Sequence, residues 1–156
     1  MIVELVANYP RPPALMPCHR HVRVKALGRQ LCDARYSLRV LETFHPPTFY
    51  LPPASMNLAL LKPQNGGTFC EWKGFAKYYD IVADGQRLFR SVWSYPDPSP
   101  PYRELAGWYA LYPGRMDGSW VDGEPVLAQP GDFYGGWITS DVQGPFKGDP
   151  NHPELI

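Results

Sequence analysis

The stretches "CEWKGFAKYY" (70–79) and "QGPFKGDP" (143–150) each place an aromatic ring, a lysine and a glycine in a row, Trp72-Lys73-Gly74 and Phe146-Lys147-Gly148. In such a triplet the glycine admits a tight turn and the ring holds the lysine stem, so the ammonium group is left to face a partner. Two triplets ending on one side of a domain would make a site with two cationic walls, suited to an anionic or carbonyl-bearing small molecule. Trp72, Tyr78, Trp93, Tyr95 and Trp137 would supply the apolar floor that small-ligand sites commonly have. The same rings, with Trp108 and Tyr109, are equally suited to filling a core.

A second chemistry is open to the same stretch. Cys70 stands three positions before Lys73, and a thiol near a cation is a candidate nucleophile; Lys73 itself is another, with Glu42 as base. A buried cysteine is also an ordinary core residue, and Glu42 and Asp33 suit an ion pair or a turn cap at least as well. "CHRH" offers Cys18, His19 and His21, with Cys32 or Cys70, as metal ligands. On a strand, however, the two histidines face one way and Cys18 the other, so no metal is expected. No phosphate-cradling G-x-x-x-x-G-K loop, G-x-S-x-G elbow, H-E-x-x-H pair or calcium loop occurs, and no cofactor is expected. A third reading is a protein-interaction domain that uses an aromatic surface and the proline-rich N-terminal segment.

The whole-chain properties narrow the partners. With 15 basic and 15 acidic residues and a pI near 6.9, the chain has no net field to hold a nucleic-acid backbone or an anionic membrane. A small ligand is the expected partner, and nothing in the sequence speaks to oligomeric state. Three cysteines, Cys18, Cys32 and Cys70, without a CxxC pair argue against a disulfide framework and for a reducing compartment. Neither a signal peptide nor an apolar run of spanning length is readable, so the expectation is a soluble cytoplasmic protein. Proline and glycine are abundant (19 and 14), but the accompanying 7 Phe, 5 Trp and 10 Tyr belong to a folded chain.

The elements that must position these groups read as strands. "HVRVKALG" (21–28) sets Val22, Val24 and Ala26 against His21, Arg23 and Lys25, the period of two of a half-buried strand. Segments 37–42, 74–82, 86–95 and 105–112 read similarly. Asp84-Gly85 and Asp122-Gly123 predict two-residue hairpin turns. Ser55 predicts the start of one short helix over "MNLALL", stopped by Pro63. The expectation is an all-β, compact single domain of short antiparallel strands, a small barrel or bent sandwich, over residues 21–150. An extended arm (1–20) precedes it and a tail (151–156) follows; the arm or the proline-stiff loop 45–53 is placed to cover a pocket mouth.

Five spaced stretches carry a family resemblance: "GRQLCDARYSLRVLE", "FYLP", "TFCEWKGFAKYY", "VWSYPDP" and "GDFYGGWITSDVQGPFKG". Over about 21–150 the chain resembles the uncharacterised family called domain of unknown function 427, sometimes labelled nucleotidyltransferase-like. The resemblance implies a mostly antiparallel β fold, comparable to the β-tent of zinc-binding and cereblon-like domains, and no settled activity. Nucleotidyl transfer needs clustered carboxylates for magnesium, and no D-x-D or E-x-E pair is present. The chain departs from the family pattern at Glu71, where proline usually follows the cysteine, at Ser55, where an acid is usual, and in its tail.

Overall fold

The computed structural model describes residues 2–155. The strands are β1 (Glu4–Leu5), β2 (Ala14–Cys18), β3 (Val22–Ala26), β4 (Arg29–Ala34), β5 (Ser37–Leu41), β6 (Thr48–Tyr50), β7 (Leu61–Cys70) and β8 (Gly74–Ala83). They continue as β9 (Gln86–Ser94), β10 (Tyr109–Leu111), β11 (Gly118–Val121), β12 (Glu124–Pro125), β13 (Leu127–Ala128), β14 (Trp137–Ile138) and β15 (Val142–Gln143). The larger sheets have the orders β10-β9-β8-β7, β12-β11-β3-β4 and β2-β5-β6, all antiparallel, with short β13-β14 and parallel β1-β15 pairs beside them. The fold is all-β, and among the described residues no sheet closes into a barrel.

Alternation in the sequence becomes two cores. Val22, Val24 and Ala26 of β3 are buried while Arg23 and Lys25 are exposed. Tyr79, Ile81 and Ala83 of β8, with Leu88 and Val92 of β9, face the same core from the other side. The intervening residues Ala76, Tyr78 and Trp93 face a second core, which Leu38 and Val40 of β5 and Tyr50 of β6 close. The sheet β7–β10 therefore has an apolar core on one face and an aromatic cluster on the other, the period of two of its strands serving both.

Both predicted Asp-Gly turns form. Asp84 and Gly85 have φ of 51° and 76°, and Asp122 and Gly123 have 49° and 82°, the paired positive values of a type I′ turn. A third turn of this kind, Leu27-Gly28 (φ 50° and 73°), has no such sequence signal; the Asp117 carboxylate accepts the Gly28 N–H at 2.7 Å.

Some expectations are corrected. No helix starts at Ser55: its Oγ donates to the Pro52 carbonyl (2.7 Å) within the 3-10 turn Pro53–Ser55, a second 3-10 turn covers Leu58–Leu60, and Pro63 lies inside β7. Tertiary pairing takes this segment's backbone, since Met56 bridges Cys32 and Asn57 N–H donates to the Leu31 carbonyl (2.8 Å). Only Tyr109–Leu111 of segment 105–112 is strand, Pro100–Leu105 being 3-10. The leading segment contributes β2, hydrogen-bonded along β5, and Tyr102 Oη donates to the Pro13 carbonyl (2.7 Å). No helix among the described residues is long and apolar enough to cross a membrane.

One polar centre fixes the β8–β9 hairpin. Opposite Asp80, β9 carries extra residues, so the register changes between Tyr79 and Ile81, and Arg90 adopts φ 47°. The fully buried Asp80 carboxylate accepts from Arg90 N–H (2.8 Å), Arg87 Nη1 (2.7 Å) and Gln64 Nε2. It thereby satisfies a backbone amide that the ladder leaves without a partner.

Candidate functional site

On its aromatic face the β7–β10 sheet borders a cavity of about 340 Å³, near the small end of ordinary ligand pockets of about 300–1,000 Å³. Tyr78, Trp93, Tyr95 and Tyr112 rise from β8, β9 and the residues that follow β9 and β10. The β7–β8 turn brings Cys70, Trp72 and Lys73, and the loop after β5 brings Glu42 and His45. Lys147 closes the site with Gln129 and Tyr134.

Both triplets reach this cavity. In each, the glycine takes the positive φ expected of it: 103° at Gly74 and 99° at Gly148. A Cβ at Gly148 would lie 2.2 Å from the Pro130 carbonyl oxygen, so no other residue fits there without displacing the chain. The first turn is docked on the loop after β9: Ser99 N–H donates to the Lys73 carbonyl (3.0 Å) and Ser99 Oγ to the Trp72 carbonyl. Lys147 N–H donates to the Phe44 carbonyl (2.8 Å), which ties the second triplet to the His45 loop.

The two ammonium groups lie over rings. Lys73 Nζ is 5.8 Å from the Tyr95 ring centre and Lys147 Nζ 5.5 Å from that of Tyr134, within cation–π range. Lys73 is only 8 % exposed. Among the described residues neither lysine reaches a carboxylate in an ion pair. Burial of an unpaired cation is unfavourable, and the ring face offsets only part of the loss of water.

His45 lines the same cavity as the two lysines. Its pKa lies below the ordinary imidazole value, first because of burial; Glu42 opposes this, and Lys147 and Lys73 add to it. Tyr50 and Tyr95 are pushed up, chiefly by burial, and Tyr112 is pushed up to about 12 by burial and by its neighbour Tyr78. These phenols therefore keep their hydrogens at neutral pH. Trp93 Nε1 donates to Tyr50 Oη at 3.2 Å, and Thr68 Oγ1 and Tyr78 Oη are 3.0 Å apart.

Of the residues singled out from sequence, Glu42, Cys70, Trp72, Lys73, Tyr78, Trp93, Tyr95 and Lys147 line the cavity. Trp137 does not. It is fully buried in the opposite core with its ring 4.8 Å from Phe49. Trp108 packs on Tyr36 and Tyr109 on Tyr79, away from the site. Asp33 lies within β4 and pairs with His21 at 2.7 Å rather than forming a turn. His19 packs on Tyr36, Cys18 and Cys32 are buried, and no three His, Cys, Asp or Glu side chains among the described residues gather as metal ligands. Sequence reasoning missed His45, Gln129, Tyr112 and Tyr134. His45 sits in the proline-stiff loop considered only as a cover, and the others carry no local signal.

The three thiols differ in environment. Cys32 is 1 % exposed and burial pushes its pKa up to about 12, Cys18 is buried, and Cys70 is half-buried at the cavity. A thiol-selective reagent should therefore label Cys70 first and leave Cys32 unmodified until unfolding. Peptide mass mapping of a time course checks this, and Cys32 labelled as fast as Cys70 would contradict it.

No curated protein matches the chain. The family described as domain of unknown function (DUF427) matches residues 14–122, which include β2 to β11 and the cavity residues from Glu42 to Tyr112 but stop short of Gln129, Tyr134 and Lys147. That match covers more than half of the sequence, and the chain belongs to this family.

Proposed function

We propose that this protein is a small-molecule-binding domain whose aromatic cavity receives an anionic, ring-bearing ligand through Lys73 and Lys147. The observation that carries this reading is a nearly buried lysine, with a second lysine in the same cavity, and no carboxylate among the described residues paired to either. A bound anion would supply the missing counter-charge, and Trp72, Trp93 and Tyr95 would cover a flat ring. The three unpaired thiols fit a reducing compartment, so a cytoplasmic location is part of the proposal.

Calorimetric titration of the full chain with 3-phenylpropionate and 3-phenylpropylamine tests it, since the two differ in the sign of the charge on the same ring and stem. The acid should bind saturably and at least about tenfold more tightly than the amine, the worth of one charge-assisted hydrogen bond. Equal binding of the two, or no saturable binding of the acid, would refute the reading.

A second reading has one observation in its favour: Cys70, Lys73 and Glu42, the candidate nucleophiles and base, line the same cavity. An enzyme acting on the same class of anionic ligand would use the site in this way.

A further inference from the structure

Gln129 fixes the protonation of His45. Its side chain is 2 % exposed and meets three partners: Oε1 accepts from Gly136 N–H (3.1 Å), while Nε2 lies 2.8 Å from the Lys147 carbonyl oxygen and 3.0 Å from His45 Nδ1. Turning the amide over would set its NH₂ against the Gly136 N–H and its oxygen against the Lys147 carbonyl. Both of those are backbone groups of fixed polarity, so the amide has one orientation. The close approach depends on glycine, since a Cβ at Gly136 would lie 2.6 Å from Gln129 Oε1 and 2.5 Å from Pro46 Cγ.

With Nε2 of Gln129 donating both hydrogens, His45 Nδ1 must accept. An imidazole that accepts at Nδ1 is neutral and carries its one hydrogen on Nε2. The Nε2 nitrogen lies 3.9 Å from Glu42 Oε2. The separation is too long for a direct hydrogen bond. It leaves a donor and an acceptor side by side on the cavity wall, a pair that one hydroxyl group can satisfy.

We propose that this pair is a hydroxyl site and that the ligand is an aromatic hydroxy acid. The hydroxyl oxygen accepts from His45 Nε2–H, its hydrogen is donated to Glu42, and the carboxylate is held by Lys73 and Lys147. A carbonyl in that place would satisfy His45 alone. An ammonium group would satisfy Glu42 alone and meet two lysines of its own sign. The inference rests on the reading of the cavity as an anion site and specifies the ligand's second polar group.

Two measurements on the full chain test it. Long-range ¹⁵N–¹H correlation spectra of the histidine side chains at pH 7 should show His45 protonated at Nε2 with an unprotonated Nδ1. A hydrogen on Nδ1, alone or in an imidazolium, would overturn the assignment. Calorimetry should find 3-phenyllactate at least about tenfold tighter than 3-phenylpropionate and than phenylpyruvate, because a buried donor and acceptor are left unpaired without the hydroxyl. In Glu42→Ala the ratio of the phenyllactate to the phenylpropionate affinity should fall to threefold or less, and a tenfold preference kept in that variant would overturn the hydroxyl site. If phenylpropionate and phenyllactate bind the wild-type chain equally, the hydroxyl site is refuted and the anion site stands. If neither binds, the anion site itself is refuted and the hydroxyl site with it.

Discussion

Lys73→Met should lower the affinity for an aromatic carboxylate by about 10- to 150-fold, the equivalent of one charge-assisted hydrogen bond of about 1.5–3 kcal/mol. The melting temperature should stay level or rise. Methionine keeps most of the packing of the lysine stem, and the lost ammonium is a nearly buried charge with no carboxylate partner among the described residues. A residue kept for stability would behave in the opposite way, since truncating one half of a buried ion pair is costly. Lys147→Met, at a half-buried position over Tyr134, should show the same pattern with a smaller loss. Calorimetry and thermal melts of the two variants check this; a large fall in melting temperature with unchanged affinity would show that Lys73 is a structural residue.

Asp80→Ala should destabilise the fold by on the order of 3 kcal/mol, about 6–12 °C in melting temperature for a chain of this size. The buried carboxylate takes three donors, and its loss leaves the Arg90 amide, in a left-handed conformation at the bulge, without a partner. The same site links stability to pH. Burial by itself would raise the Asp80 pKa, but the Arg90 amide, Gln64 and Arg87 overcome it and hold the carboxyl below its ordinary value. A group with a depressed folded-state pKa stabilises the protein fully above its unfolded value and loses that contribution as pH falls through the folded one. Wild type should therefore lose stability on acidification below the ordinary aspartate range, and Asp80→Asn should lose less over the same interval. Chemical denaturation at a series of pH values measures both slopes, and parallel slopes would exclude Asp80 as a source of the acid sensitivity.

The parts of the fold that depend on near neighbours are legible in the order of the residues. Val22, Val24 and Ala26 alternate with Arg23 and Lys25 because a strand turns successive side chains to opposite faces, and that period survives in β3 whatever lies above it. Asp84-Gly85 and Asp122-Gly123 make their turns because the positive φ values are available to those residues locally. The glycines of the two lysine triplets belong to the same class.

Where distant segments compete for a backbone or a side chain, the outcome depends on how the whole chain packs. The stretch after Ser55 closes only a 3-10 turn at Leu58–Leu60 and no longer helix, because Cys32 and Leu31 take the backbone of Met56 and Asn57. Trp137 and Trp93 are the same residue type, and both lie in strands. One fills the inner core and the other a cavity wall, because the sheet β7–β10 separates the two cores. His45 and Gln129 are 84 residues apart, and neither carries a motif. Their hydrogen bond, and with it the side of the imidazole that faces the cavity, exists only because Gly136 and Lys147 bring two backbone groups of opposite polarity to one amide.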